Sequence, residues 1–134
     1  MKLRNEQVLN VFGGLNTLGN EKFSAKLAWK ISTARATLSP FVESLEKTMT
    51  EVRTKYAVRD TEGNIIPAFD NNGMQVEGTM QVEKDKLQVL NAELMELLTA
   101  ETEVTNVSLS IADFPDTFEV SPNVLQALQP ILSD

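Results

Sequence analysis

The sequence predicts an α+β fold, mainly helical: a long helix pair, a small antiparallel β-hairpin or sheet, and a short C-terminal helix. Three observations lead there. An apolar stripe made of Leu27, Ile31, Ala34, Leu38, Phe41/Val42, Leu45, Met49, Val52 and Tyr56 recurs in steps of three and four, the spacing of one helix face. A leucine-rich face of the same periodicity follows at Leu87, Leu90, Leu94, Leu97 and Leu98. Between them, residues 57–82 switch to alternation and turn chemistry. With 134 residues and no visible repeat, low-complexity tract or linker, a single domain spanning 1–134 is expected.

The first element is expected over Asn5–Leu18, with Asn5 as cap, Glu6 favoured by the helix dipole, and Val8, Leu9, Phe12 and Leu15 as its apolar side. Gly13-Gly14 is expected to end or loosen it, since paired glycines cost about 2 kcal/mol of helix propensity. Gly19-Asn20 reads as a turn. The striped helix comes next. A continuous rod of about 30 residues is roughly 45 Å long, well beyond the ~13 Å radius of gyration of a compact 100-residue domain. Its stripe therefore has to be covered by other segments or by another copy. Pro40 removes one backbone bond in its middle. Because the stripe keeps phase through it, a kinked continuous rod is favoured over a fresh helix capped by Ser39. Arg53 and Lys55 suit the C-terminal dipole.

Val58–Pro67 has strand-like ends around a polar turn, Phe69–Met74 is a second turn, and Met74–Val82 alternates like a half-buried strand. Two strands alone are marginal, so this meander is expected to rest on a helix or gain a third strand. Lys84–Ala100 is the leucine helix, the expected antiparallel partner of the stripe. Thr102–Ile111 alternates with one slip near Asn106 and is the expected third strand. Ser121-Pro122 starts the last helix, with Val124, Leu125, Leu128 and Leu132 as its apolar side and Pro130 limiting its length.

Composition narrows the chemistry. There is neither cysteine nor histidine, so thiolate sites are excluded and the commonest general base and transition-metal ligand are missing. An enzyme is not expected, although carboxylates, Lys, Ser and Tyr remain. The net charge of −7 is uneven: residues 1–56 carry nine Lys/Arg against five Asp/Glu, and residues 57–134 carry three against fourteen. The halves attract each other, and the acidic total disfavours general nucleic-acid binding. No apolar run approaches the ~18 residues of a membrane span, and the start Met1–Glu6 lacks the apolar stretch of a secretory signal. No membrane association is expected, and the cytoplasm is the expected site of action.

Four motifs invite a chemical reading. Asp60, Glu62 and Asn64 alternate like early EF-hand ligands, but Ile65 and Asn71 occupy the glycine and glutamate positions, so a hairpin turn is expected. Glu93, Glu96, Glu101 and Glu103 have no accompanying base or ligand cluster and read as a solvated face. Lys22, Lys26 and Lys30 stand on one i,i+4 row with Arg35 slightly off it; this is the best candidate for gripping a phosphate or nucleotide, against the plainer reading of ion pairs with the acidic half. No phosphate-cradling glycine loop supports it and no cofactor is expected. Trp29, Phe41, Leu45 and Met49 are the candidate self-association residues of a rod with a near-heptad stripe.

In the segment Lys26-Leu27-Ala28-Trp29-Lys30-Ile31, the long helix after it, the turn Asp60-Thr61-Glu62-Gly63-Asn64, the helix around Glu93–Leu98 and the closing Ser121-Pro122…Leu125…Leu128, the chain resembles small acidic uncharacterised proteins of tailed bacteriophages. The resemblance brings no catalytic residues. It implies a phage accessory protein acting in the host bacterial cytoplasm. The expected function is non-enzymatic: a homo-oligomeric binder that occupies or sequesters a host component, either a defence protein or a nucleotide signal. The alternative is a morphogenesis or tail-assembly factor, or a chaperone, that binds a virion protein.

Overall fold

A computed structural model describes residues 1–134. The fold is α+β and mainly helical. In chain order the elements are β1 (Lys2–Arg4), α1 (Asn5–Leu18), α2 (Ala25–Lys55), a 3-10 turn (Lys84–Lys86), α3 (Leu87–Thr99), β2 (Glu101–Glu103), β3 (Leu109–Ser110), a 3-10 turn (Ile111–Asp113), α4 (Pro122–Leu128), a 3-10 turn (Gln129–Ile131) and β4 (Leu132–Ser133). No helix is long and apolar enough to cross a membrane. The chain forms two compact units, one of Met1–Leu45 with Leu98–Asp134, the other of Glu46–Leu97; α2 and α3 contribute residues to both.

The first unit holds nearly all of the core. Val8, Val11, Leu15 and Leu18 of α1, and Leu27, Ile31, Ala34, Leu38, Val42 and Leu45 of α2, are buried. Leu3, Val104, Val107, Leu109, Leu128 and Ile131 complete it. The expected stripe is buried from Leu27 to Leu45 and only half-buried at Met49, Val52 and Tyr56, and α2 runs unbroken through Pro40 to end at Lys55. The price of Pro40 is one missing backbone donor, which leaves the carbonyl of Ala36 without its usual partner.

Several local expectations are corrected. Asn5 does not cap α1: Arg4 holds the cap position in extended conformation, and its N–H donates to the Gln7 side chain at 2.9 Å. Asn5 is instead a buried first-turn residue whose Oδ1 accepts from the Thr102 hydroxyl at 2.6 Å and whose N–H donates to the Ala100 carbonyl at 2.9 Å. Gly13-Gly14 neither ends nor interrupts α1. Gly14 is where α1 meets α4, and a Cβ there would stand 3.0 Å from Leu128. The glycine buys a close helix–helix approach that outweighs its propensity cost.

The segment Thr102–Ile111 is not one strand. β2 pairs antiparallel with β1 in the register Leu3↔Thr102, and β3 pairs in parallel with β4 in the register Leu109↔Leu132. The slip seen in the alternation is a bend: Asn106 has φ 58°, a left-handed conformation that Asn tolerates better than most residues. Neither strand joins the 57–82 segment. The expected cap of α4 is present, with Ser121 Oγ accepting from the Val124 N–H at 3.3 Å and Pro122 in the first turn.

The second unit carries the meander, tied by antiparallel bridges at Ala57↔Val82, Arg59↔Ile65 and Phe69↔Gln75. It also contains a repeat that the sequence reading missed. Asp60 Oδ1 accepts from the Glu62 and Asn64 N–H groups, and Asp70 Oδ1 accepts from those of Asn72 and Met74. Gly63 and Gly73 close the two turns at φ 85° and 78°. These are two copies of one Asp-x-x-Gly hairpin turn, ten residues apart. The Asp60 carboxylate is engaged by its own loop, as the hairpin reading requires. Of this unit's side chains only Leu90 is buried. At its α2 end, Glu93 of α3 accepts from the Tyr56 hydroxyl at 2.6 Å and from Lys55 at 3.2 Å.

Candidate functional site

The first unit carries an apolar cleft of about 380 Å³, within the range of pockets that take small ligands or anchor side chains. Three pieces of backbone build it. Ser110 Oγ accepts from the Ala112 N–H at 3.2 Å and starts a 3-10 turn, which the Phe114 N–H closes on the Ile111 carbonyl at 3.1 Å. A second turn follows, with the Phe118 N–H on the Pro115 carbonyl at 3.0 Å. The β3–β4 pairing brings Leu132 alongside, and α4 supplies Leu125 and Leu128.

Phe114 and Phe118 of this lining join Phe23 in an aromatic triad, edge-on between Phe23 and the other two (centroids 5.7 and 5.1 Å) and stacked between Phe114 and Phe118 (5.6 Å). Such pairs contribute about 0.5–1.5 kcal/mol each beyond area burial. They brace a loop that has little regular structure. Asp113 anchors the same loop to α2 by accepting from Lys30 Nζ at 2.7 Å. Lys30, helped by Lys26, holds the Asp113 carboxyl below its ordinary value.

The lining is apolar except for Asp116. At the mouth, Ile111, Leu125 and Val120 are 52%, 45% and 37% exposed, unusual for side chains of their kind lying together. A shallower basin continues past Ile111, Leu125 and Leu132 toward Asp134. Chemically, the cleft can desolvate an apolar group and favour one that carries positive charge. It places no nucleophile and no carboxylate pair against such a group.

The sequence-derived candidates sit elsewhere and do not converge. Lys22 precedes α2, which begins at Ala25, so it is not on the helical row. Lys26 is exposed on α2. Lys30 is engaged by Asp113, and Arg35 Nε donates to Asn16 Oδ1 on α1 at 3.0 Å. Two of the four cations are thus committed to holding the first unit together. Of the candidate interface residues, Leu45 is buried in the chain's own core, Phe41 and Met49 are half-buried, and Trp29 is 69% exposed. Sequence reasoning passed over residues 112–120 altogether. Their signal was Phe114-Pro115-Asp116-Thr117-Phe118, two aromatics inside an acidic turn segment with no helical or strand period to bury them.

No protein-family model, curated protein or solved structure matches the chain.

Proposed function

We propose that this chain is a non-enzymatic binding protein whose cleft takes an apolar side chain, flanked by Lys or Arg, from a protein partner. The observation that carries the reading is the combination of a preformed apolar lining with Asp116 as its one charged group. An apolar anchor entering such a cleft supplies affinity by desolvation, and the Asp116 carboxylate favours its basic neighbours. The resemblance to phage accessory proteins supports a partner in the host bacterial cytoplasm, occupied or sequestered through this surface. A protein partner is preferred over a nucleotide signal because Lys30 and Arg35 already have protein partners.

The test is a calorimetric and amide-shift titration with short peptides bearing one Leu or Phe between lysines, against the same peptides with glutamates. The lysine peptides should bind and move the Ile111, Phe114 and Leu125 amides, and Leu125→Lys should remove the effect. Equal binding of both peptides, or of neither, sinks the proposal. Thermal stabilisation by a cyclic nucleotide that disappears in the Lys22→Glu/Lys26→Glu variant would establish the nucleotide reading in its place.

A further inference from the structure

The outward face of α2 presents a knob and, two turns on, a shallow hollow that borders the same line. Trp29 is 69% exposed. Seven residues on, Ala36 lies about 20° from it around the helix, so both point the same way. Ala36 belongs to a notch of about 230 Å³ whose other walls are Phe12, Ser32, Arg35 and Ser39. Ser32, Ala36 and Ser39 are small, and Arg35 is held by its bond to Asn16. Farther along α2, Lys26 is exposed at one end of this stretch and Glu43 at the other.

We infer that α2 pairs antiparallel with α2 of a second copy of this chain, each Trp29 seated in the other copy's Ala36 notch. The inference rests on this face alone and is independent of the cleft. A two-fold axis passing between Ser32 and Thr33 sets residue 29 of one copy opposite residue 36 of the other, and the same contact forms twice, as a symmetric dimer requires. The indole gains the Arg35 guanidinium as a cation–π neighbour. The same placement sets Lys26 within about one helical turn of the second copy's Glu43. A parallel pairing would set tryptophan on tryptophan, lysine on lysine and glutamate on glutamate, so charge chooses the antiparallel arrangement. Two tryptophans burying about 150–250 Å² each, with matching area on their notches, give roughly 600–1,000 Å². That is below the ~1,200 Å² at which stable interfaces begin, so the dimer is reversible and forms in the micromolar-to-millimolar range.

Trp29 is the chain's single tryptophan, so its emission reports its own burial. Sedimentation and fluorescence are followed together from about 1 μM to 1 mM. A monomer–dimer equilibrium with emission shifting to the blue as dimer forms is expected. Trp29→Ala and Ala36→Arg should each weaken association about tenfold or more. Both positions are exposed, so the circular dichroism of both variants should match the parent. Mixing these two variants restores one of the two contacts and should recover part of the association. Lys26→Glu should weaken dimerisation, and Lys26→Glu/Glu43→Lys should restore it. A monomer at every concentration with unchanged emission, or a dimer that survives Ala36→Arg, overturns the inference.

Discussion

Gly14 on α1 and Leu128 on α4 approach so closely that a Cβ on Gly14 would stand 3.0 Å from Leu128 Cγ and Cδ2 and 3.4 Å from the Ala127 Cβ. Leu128 is 2% exposed, and because its Cγ as well as its Cδ2 stands at that distance, the branch point and not only a methyl group would have to shift. Gly13, its neighbour, faces open space. The two glycines should therefore answer the same substitution with opposite signs. Gly13→Ala should raise stability by up to about 1 kcal/mol through helix propensity. Gly14→Ala makes the same propensity gain but overpacks the α1–α4 contact, which costs about 1–3 kcal/mol, so a net loss is expected. Urea unfolding of the two variants side by side measures the difference; equal gains would mean that α4 is not seated on α1.

The ion pair of Lys30 with Asp113 should give the first unit a signature at low pH. The Asp113 carboxyl is held below its ordinary value of 3.8, chiefly by the hydrogen bond from Lys30. A carboxylate depressed in the fold contributes its full stabilisation above its unfolded pKa and loses it as the pH falls through the folded one. Asp113→Asn should lower the melting temperature at neutral pH and flatten its decline in acid, with melting curves from about pH 2 to 7 as the measurement. A variant curve parallel to the parent's would show that the pair does not hold the loop. Because the loop forms one wall of the cleft, the same variant should also weaken the lysine-flanked peptides.

Tyr56 and Glu93 form the corresponding link in the second unit. The hydrogen bond to Glu93 raises the Tyr56 phenol above its ordinary 10.0, and the Glu93 carboxyl is lowered by the same bond and by Lys55. A raised phenol contributes stability below pH 10 that is lost as the pH climbs through the shifted value. Since Tyr56 is the single tyrosine, the rise of phenolate absorbance reads its titration directly. It should occur later than for a free tyrosine, and Glu93→Gln should move it back. A titration unaffected by Glu93→Gln would show the contact to be absent in solution.

The two Asp-x-x-Gly turns should behave as equivalents. Gly63→Ala or Gly73→Ala forces an L side chain into φ 85° or 78° and should cost about 1–2 kcal/mol of local stability. Hydrogen exchange should quicken within residues 57–82 while the amides of Val8, Val11 and Leu15 keep their protection. Asn at either position, which tolerates this conformation, should cost less than Ala. Loss of protection throughout the chain would mean that the turns support far more than their own unit.

The periodicity of residues 27–56 by itself determined a long helix, its buried side as far as Leu45, and its passage through Pro40, because a stripe in phase over many turns leaves few alternatives. Ser121-Pro122 likewise announced α4 by cap chemistry alone. What lay beyond the sequence was every fact that depends on a distant neighbour. Gly13 and Gly14 are identical in local propensity, and only Leu128, over a hundred residues away, separates them. The alternation of 102–111 is the same whether it forms one strand or two, and its partners β1 and β4 are too short to have a period of their own. The plainer reading of the lysine row, ion pairing with the acidic half, describes Lys30, but that its partner is Asp113 and that Arg35 goes to Asn16 was visible only in the fold. Local pattern specifies what a segment is. Which groups remain available for a partner is decided by long-range packing, because burial and pairing are properties of the assembled neighbourhood.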